Sequence, residues 1–144
     1  MVEIKNILCA VDFSEASARV AAYTRLLAGS LKASVTVIHV SPDVHEYVFY
    51  ESPTSLEDLV EEAMAEADKR MGLFIRENFS DLDAKGRVLS GYPDEEILAS
   101  IKSENIDLVI MGTHGRRGFE KILFGSVAER VVKKSSVPVL TIRP

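Results

Sequence analysis

Three glycines and a serine near the C-terminus have a spacing that could bind phosphate: Gly112, Gly115, Gly125 and Ser126. They lie between an apolar run, 108–111, and a helix-like run, 127–134. Glycines let the backbone approach a ligand closely and permit positive φ. A helix N-terminus adds N–H groups without intrahelical partners and the positive end of the helix dipole. Together these features predict a phosphate site.

Strand-like and helix-like segments alternate along the rest of the chain. Four apolar runs and one weaker, charged run are predicted strands: 4–11, 35–40, 108–111, 137–142 and 84–90. Apolar residues at helical spacing separate them, starting near residues 14, 54, 93 and 127. Near-continuous apolar strands are typical of a parallel sheet with helices on both faces. We therefore predict an α/β fold with an open, mostly parallel five-stranded sheet, in a single domain of residues 1–144.

Helix starts and one long loop are also predicted. Ser14 is a candidate N-cap, 54–57 has the form of a capping box, and Pro93 opens the third helix. The first helix is expected to bury the stripe Ala16, Val20, Tyr23 or Thr24, Leu27 and Leu31. Residues 41–53 hold two prolines and three aromatic residues, which indicates a loop over a strand end.

Size and composition are those of a globular protein that does not span a membrane. The chain has 144 residues, of which 47% are hydrophobic and 27% charged. No apolar run reaches the roughly 20 residues that span a bilayer, and the first residues lack the pattern of a signal peptide. The single cysteine, Cys9, lies in the first predicted strand and is interpreted as a core residue. The expected location is the cytoplasm.

The charge distribution favours a small anion as ligand. A net charge of −5 argues against general nucleic-acid binding. Residues 112–134 nevertheless hold six basic and two acidic side chains, which makes this segment +4 and the remainder −9. A solvated basic helix face is the alternative interpretation.

Several catalytic patterns are missing from the sequence. There is no Gly-x4-Gly-Lys-Ser/Thr, no Gly-x-Gly-x-x-Gly and no Gly-x-Ser-x-Gly. The three histidines lack the spacing of metal ligands. Because no residue stands out as a base beside the phosphates, binding is better supported than turnover, and no catalytic residue is predicted.

The pattern Gly112-x2-Gly115-x9-Gly125-Ser126 resembles the glycine signature of the ATP-binding branch of the universal stress protein family. The resemblance is also supported by residues 10–14, 38–40 and 137–139, and it extends from residue 4 to residue 142. It implies a Rossmann-like sheet of the adenine nucleotide alpha hydrolase-like type, with strand order 3-2-1-4-5. That order places a crevice outside the carboxyl ends of strands 1 and 4.

The resemblance also implies site residues. The Val40 backbone would contact adenine, the glycines of the motif would pass close to ribose and phosphates, and the Ser126 hydroxyl would hold phosphate. The full set expected around the nucleotide is Ala10, Val11, Asp12, Val40, Met111, Gly112, His114, Gly115, Arg116, Gly125, Ser126 and Val127. Among these, the N–H groups of Gly125, Ser126 and Val127 are the expected phosphate donors.

Other interpretations of these residues stay open. Asp12 could simply cap the first helix, and Gly125-Ser126 could be only a loop end with an N-cap. Arg116 and Arg117 could reach phosphates or only water, and His114 could point to solvent.

The function implied is an ATP-binding regulatory or stress-response domain with Mg²⁺ and with slow or no hydrolysis. Alternatives are a nucleotide hydrolase or adenylyl-transferring relative, and an interaction module without nucleotide. Lys85 and Arg87 discourage pairing at the strand 3 edge, whereas 139–142 carries no charge. A homodimer through strand 5 is therefore expected, as the family resemblance also suggests.

Overall fold

Strands and helices alternate throughout the residues that the computed structural model describes, 1–41, 56–114 and 124–144. The strands are β1 (Asn6–Ala10), β2 (Ser34–Ser41), β3 (Ala84–Ser90), β4 (Leu108–Gly112) and β5 (Val139–Ile142). The helices are α1 (Glu15–Leu31), α2 (Leu56–Phe79), α3 (Pro93–Ser103) and α4 (Ser126–Lys134). The predicted capping box begins outside the described residues, as does almost all of the predicted loop 41–53.

The five strands form one parallel sheet in the order β3-β2-β1-β4-β5. The predicted fold class and strand order are thus confirmed. The chain moves outward from β1 to β2 and β3, then returns so that β4 pairs with the other side of β1. The connections diverge at that point, so the carboxyl ends of β1 and β4 border a crevice.

The sheet is buried on both faces. Ile7 and Cys9 belong to the core under α1 and α2, whereas Leu8 and Val109 belong to the core under α3 and α4. This alternation follows from the two-residue repeat of a strand. The Cys9 thiol is fully buried, and burial raises its pKa to about 12, which confirms it as a core residue. None of the helices in the described ranges is both long and apolar enough to cross a bilayer.

Helix α1 packs through smaller side chains than predicted. Tyr23 and Leu31 are 39% and 44% exposed, so their placement in the stripe is wrong. The alternative, Thr24, is fully buried and donates its hydroxyl to the Val20 carbonyl at 2.8 Å. The other buried positions of the helix are Ser17, Ala21, Ala28 and Val20, of which Val20 is a predicted stripe residue. Small residues allow a helix to approach the sheet closely. A prediction based on large apolar residues at helical spacing does not identify these positions.

The β3 edge carries charge, as predicted, but that charge is paired. Lys85 and Arg87 both bind the Glu104 carboxylate, at 2.8 Å and 2.6 Å. Their ion pairs hold the pKa of Glu104 below its usual value, with the Lys85 hydrogen bond as the largest cause. Because Glu104 caps the C-terminus of α3, these contacts also tie that helix to the sheet edge.

Gly86 of β3 is expected to be essential for the packing of α2. A Cβ atom there would overlap Met71 Cγ and lie 2.7 Å from Ile75 Cδ1. We predict that Gly86→Ala lowers the free energy of unfolding in urea by about 1–3 kcal/mol. The matched control is Gly72→Ala in α2, where nothing lies within 4 Å of the added atom. That change should stabilise the protein by about 0.5–1 kcal/mol. Equal stabilities of the two variants would contradict the prediction.

Candidate nucleotide-binding crevice

The predicted site residues of β1 and β4 meet at one edge of the sheet. Ala10 lies directly beside Met111 in the parallel pairing. Val11 and Gly112 continue the chain at that edge. The Val11 N–H donates to the Ile38 carbonyl at 2.9 Å, and Val40 lies two residues further along β2. The structure therefore brings the Val40 backbone to the same edge, as expected from parallel strands.

Asp12 forms a tight turn between β1 and α1. Its Oδ1 accepts the Ser14 N–H at 3.0 Å and the Ser17 hydroxyl at 2.9 Å. The Asp12 N–H in turn lies 3.2 Å from Ser17 Oγ. Ser14 occupies the N-cap position, but its side chain makes no capping hydrogen bond. The carboxylate of Asp12 thus organises the start of α1, whatever else it binds.

Gly125 closes the base of the segment that joins β4 to α4. Its N–H donates to the Thr113 carbonyl at 2.6 Å. A Cβ atom at Gly125 would lie 3.1 Å from that oxygen and 3.7 Å from the His114 Cα. Since φ is −70° there, glycine favours this close approach and does not serve a left-handed conformation. The Gly125 N–H, expected to bind phosphate, is instead used to hold the two ends of the segment together.

The N-terminus of α4 lies at the same base. The helix begins at Ser126, and its Glu129 N–H donates to the Gly125 carbonyl at 3.0 Å. The N–H groups of Ser126 and Val127 therefore belong to the first turn, where an α-helix provides no backbone partner. Ser126 is exposed and Val127 half-buried. Both residues occupy the helix N-terminus predicted for anion binding.

His114 and its neighbours continue β4 towards this helix. The His114 Nδ1 lies 2.9 Å from the Thr113 hydroxyl, and the ring is half-buried, which differs from a side chain directed only at solvent. Thr113 is itself buried and donates its N–H to the Ile142 carbonyl at 2.9 Å. Gly115, Arg116 and Arg117 lie outside the described residues.

Basic side chains of α4 have acidic partners. Lys133 binds Glu129 at 2.8 Å, and this hydrogen bond is the main cause of the lowered pKa of Glu129. Arg130 lies 3.7 Å from the carboxylate of Asp94, which is buried at the start of α3. Within residues 1–41, 56–114 and 124–144, no three His, Cys, Asp or Glu side chains form a metal-binding group. The positive charge predicted for this segment is thus partly neutralised on the helix.

The universal stress protein family model matches residues 3–143, nearly the whole chain. This chain belongs to the universal stress protein family. The crevice described above is accordingly part of a universal stress protein domain, on the sheet that the resemblance implied.

Three relatives show the extent of the similarity. Universal stress protein MJ0531 of Methanocaldococcus jannaschii is 34% identical over 142 residues, which cover 96% of this chain and 82% of the relative. The structure of MJ0577 from the same organism has a TM-score of 0.85 at 30% identity and covers 99% of this chain and 98% of its own. An Archaeoglobus fulgidus universal stress protein in complex with dAMP has a TM-score of 0.65 and covers 99% of both chains. At 22% identity, that last likeness is one of fold.

Three residues that shape this edge of the sheet are not identified by the sequence patterns: Ser17, His39 and Thr113. Ser17 looks like an ordinary polar residue of a helix, yet it is buried against Asp12. The spacing Asp12-x4-Ser17 across a predicted helix start was the available signal. His39 lies within the predicted strand 35–40 and Thr113 within the glycine motif, so neither carries a separate signal in the sequence.

Ser17 is expected to stabilise the Asp12 turn. We predict that Ser17→Ala lowers the free energy of unfolding by about 1–2 kcal/mol, because a hydrogen bond to a charged group is lost. Alanine returns a few tenths of a kcal/mol through helix propensity. Chemical denaturation measures the difference. Ser30→Ala, at an exposed position of the same helix, should change stability by less than about 0.5 kcal/mol. A Ser17→Ala variant as stable as this control would show that the turn does not need the serine.

Proposed function

We propose that this universal stress protein binds ATP in the crevice at the carboxyl ends of β1 and β4 and acts as a regulatory stress-response domain in the cytoplasm. The observation that best supports this proposal is that the Asp12 turn, the end of β4 and the N-terminus of α4 meet at one sheet edge. The motif Gly112-x2-Gly115-x9-Gly125-Ser126, which resembles that of the ATP-binding branch, supports the choice of ligand.

The phosphates would bind at the N-terminus of α4. A helix dipole contributes about 0.3–1 kcal/mol at a surface, whereas micromolar affinity requires about 8 kcal/mol. Several N–H donors and burial of the adenine are therefore needed together. The first-turn N–H groups of Ser126 and Val127 and the Ser126 hydroxyl are the proposed donors. Gly125 contributes indirectly, by keeping the end of β4 against the start of the helix.

The adenosine would lie against the turn after β1. Ala10, Val11 and Asp12 line this side, and the Val40 backbone is close enough in the sheet to complete it. Met111 and Gly112 separate this side from the α4 terminus. His114, Gly115 and Arg116 follow β4 in sequence and are proposed to face ribose and phosphates.

A divalent cation suits the triphosphate by charge, and Mg²⁺ is the proposed ion. Mg²⁺ commonly binds through substrate phosphates and water with only one or two protein carboxylates. The backbone N–H groups at the start of α4 can only donate, so they fit phosphate oxygens and cannot ligate the metal. We therefore propose that the ion is held mainly by the phosphates.

Binding is proposed in preference to efficient turnover. Asp12 is the carboxylate that directly follows β1, and its Oδ1 is already hydrogen-bonded to Ser14 and Ser17. These bonds attach one oxygen of the carboxylate to the start of α1, which supports a structural role for Asp12. Hydrolysis is therefore expected to be slow or absent.

Equilibrium titration with ATP and Mg²⁺ tests this function. Wild-type protein should bind saturably, and Gly125→Val should weaken binding at least about tenfold, or by about 1.4 kcal/mol. The reason is that the added side chain collides with the Thr113 carbonyl and displaces the start of α4. Gly72→Ala is the control, because it changes a glycine of α2 with open space around it. Circular dichroism should show that both variants are folded.

Each contrary result has a definite meaning. Absence of saturable binding at millimolar nucleotide would reject the proposal and favour an interaction module without nucleotide. Turnover that survives rigorous purification and is lost in Asp12→Ala or His114→Ala would instead identify a hydrolase or adenylyl-transferring enzyme.

We also propose a homodimer formed by the β5 strands of two copies. In the described sheet β5 is an edge strand. The Val109 N–H donates to the Pro138 carbonyl and the Thr113 N–H to the Ile142 carbonyl. Because alternate residues of a parallel strand bond on the same side, Val139 and Thr141 direct their backbone groups away from β4. An uncharged edge of this kind can pair with a second copy.

Thr141→Pro tests the dimer without removing a bond to β4. Proline deletes an N–H that would pair across the interface and is tolerated at a sheet edge. Light scattering should give a dimer for wild-type protein and for Thr141→Val, which keeps the N–H. The proline variant should be a folded monomer at the same concentration. A wild-type monomer at high micromolar concentration would overturn the proposal.

A further inference from the structure

His39 of β2 contacts the turn after β1 in two ways. Its Nδ1 lies 3.0 Å from the Val11 carbonyl oxygen. A carbonyl oxygen only accepts hydrogen bonds, so Nδ1 must carry the proton. The imidazole also packs on the Phe13 ring, with 4.5 Å between the ring centroids and 36° between the planes. Both contacts lie on residues that flank Asp12.

The Phe13 backbone is strained at this point. Its φ is +60°, a left-handed conformation that bulky residues rarely adopt. Strained backbone persists only where the surrounding structure holds it, and it concentrates at functional sites. Phe13 is held by His39 on one side and by an edge contact with Phe74 of α2 on the other, at 5.9 Å between centroids.

These contacts continue the β1–β2 pairing beyond its last backbone bond. The Val11 N–H donates to the Ile38 carbonyl, and beyond it the His39 side chain bonds to the Val11 carbonyl. Val40, the proposed adenine contact, directly follows His39. One side chain therefore connects the β2 backbone proposed to contact adenine with the turn after β1 proposed to line the adenosine.

We propose that His39 is a positioning residue of the nucleotide site, which sets the Val11–Phe13 turn for the adenosine half of the ligand. This proposal rests on the proposed function, since it assigns a role within the same crevice. The phosphate half depends on α4 and Gly125, whereas the His39 contacts described above lie on Val11 and Phe13 of the turn after β1. Loss of His39 should therefore weaken binding of adenosine-containing ligands selectively.

Two substitutions separate the hydrogen bond from the ring. His39→Phe keeps an aromatic ring on Phe13 and loses the donor, whereas His39→Asn can place an amide N–H near the position of Nδ1. The probes are ATP with Mg²⁺ and inorganic tripolyphosphate with Mg²⁺, the second measured by competition. His39→Phe should raise the Kd for ATP about tenfold, a factor within the range of one hydrogen bond. Its tripolyphosphate Kd should be unchanged, and His39→Asn should bind ATP nearly as well as wild type.

A ligand-free measurement adds a second check. Long-range proton–nitrogen NMR of the wild-type protein should show a protonated Nδ1 on His39. If His39→Phe fails to fold, Phe13→Leu replaces it, because that change removes the stacked ring and should also weaken ATP selectively.

The outcomes distinguish this proposal from the proposed function. Failure of wild-type protein to bind ATP rejects both. Normal ATP binding by wild type and by His39→Phe, or by Phe13→Leu where it is used, rejects only the positioning role. Equal weakening for ATP and tripolyphosphate, equal weakening in Phe and Asn variants, or an unprotonated Nδ1 also rejects it.

Discussion

The contact between the Gly125 N–H and the Thr113 carbonyl, at 2.6 Å, is the constraint on which the crevice depends. It brings the start of α4 against the end of β4, which is itself anchored to β5 through the Thr113 N–H and the Ile142 carbonyl. A side chain on Gly125 would occupy the space that this contact uses. The absence of a Cβ atom at Gly125 thus helps the start of α4 to lie close against the end of β4.

The opposite side of the crevice, the turn after β1, is held by side-chain hydrogen bonds. Ser17 fixes the Asp12 carboxylate from α1, and His39 fixes the Val11 carbonyl from β2. Each of these groups comes from an element that packs beside β1. The short turn after β1 is thus determined by its neighbours, which explains how Phe13 is kept at φ +60°.

Sequence patterns predict the class of the fold and the region of the site better than the individual contacts. Apolar runs separated by helical spacing predict the parallel sheet, and the glycine spacing indicates the edge at which a ligand would bind. A sequence pattern does not show the direction of a backbone N–H. The Gly125 N–H is therefore predicted as a phosphate donor, whereas in the structure it donates to the Thr113 carbonyl. Hydrophobic spacing likewise favours Leu31 and allows either Tyr23 or Thr24, whereas packing on the sheet buries Thr24 and leaves Tyr23 and Leu31 exposed.

Two basic side chains of the segment 112–134 have acidic partners on or near α4. The predicted excess of positive charge in 112–134 includes Lys133, which binds Glu129, and Arg130, which faces Asp94. Exposed ion pairs of this kind contribute about 1 kcal/mol or less. The direction of the first-turn N–H groups of α4 is fixed by the helix, so they present donors whatever partners the basic side chains have. The geometry at Gly125 determines where that helix begins relative to β4.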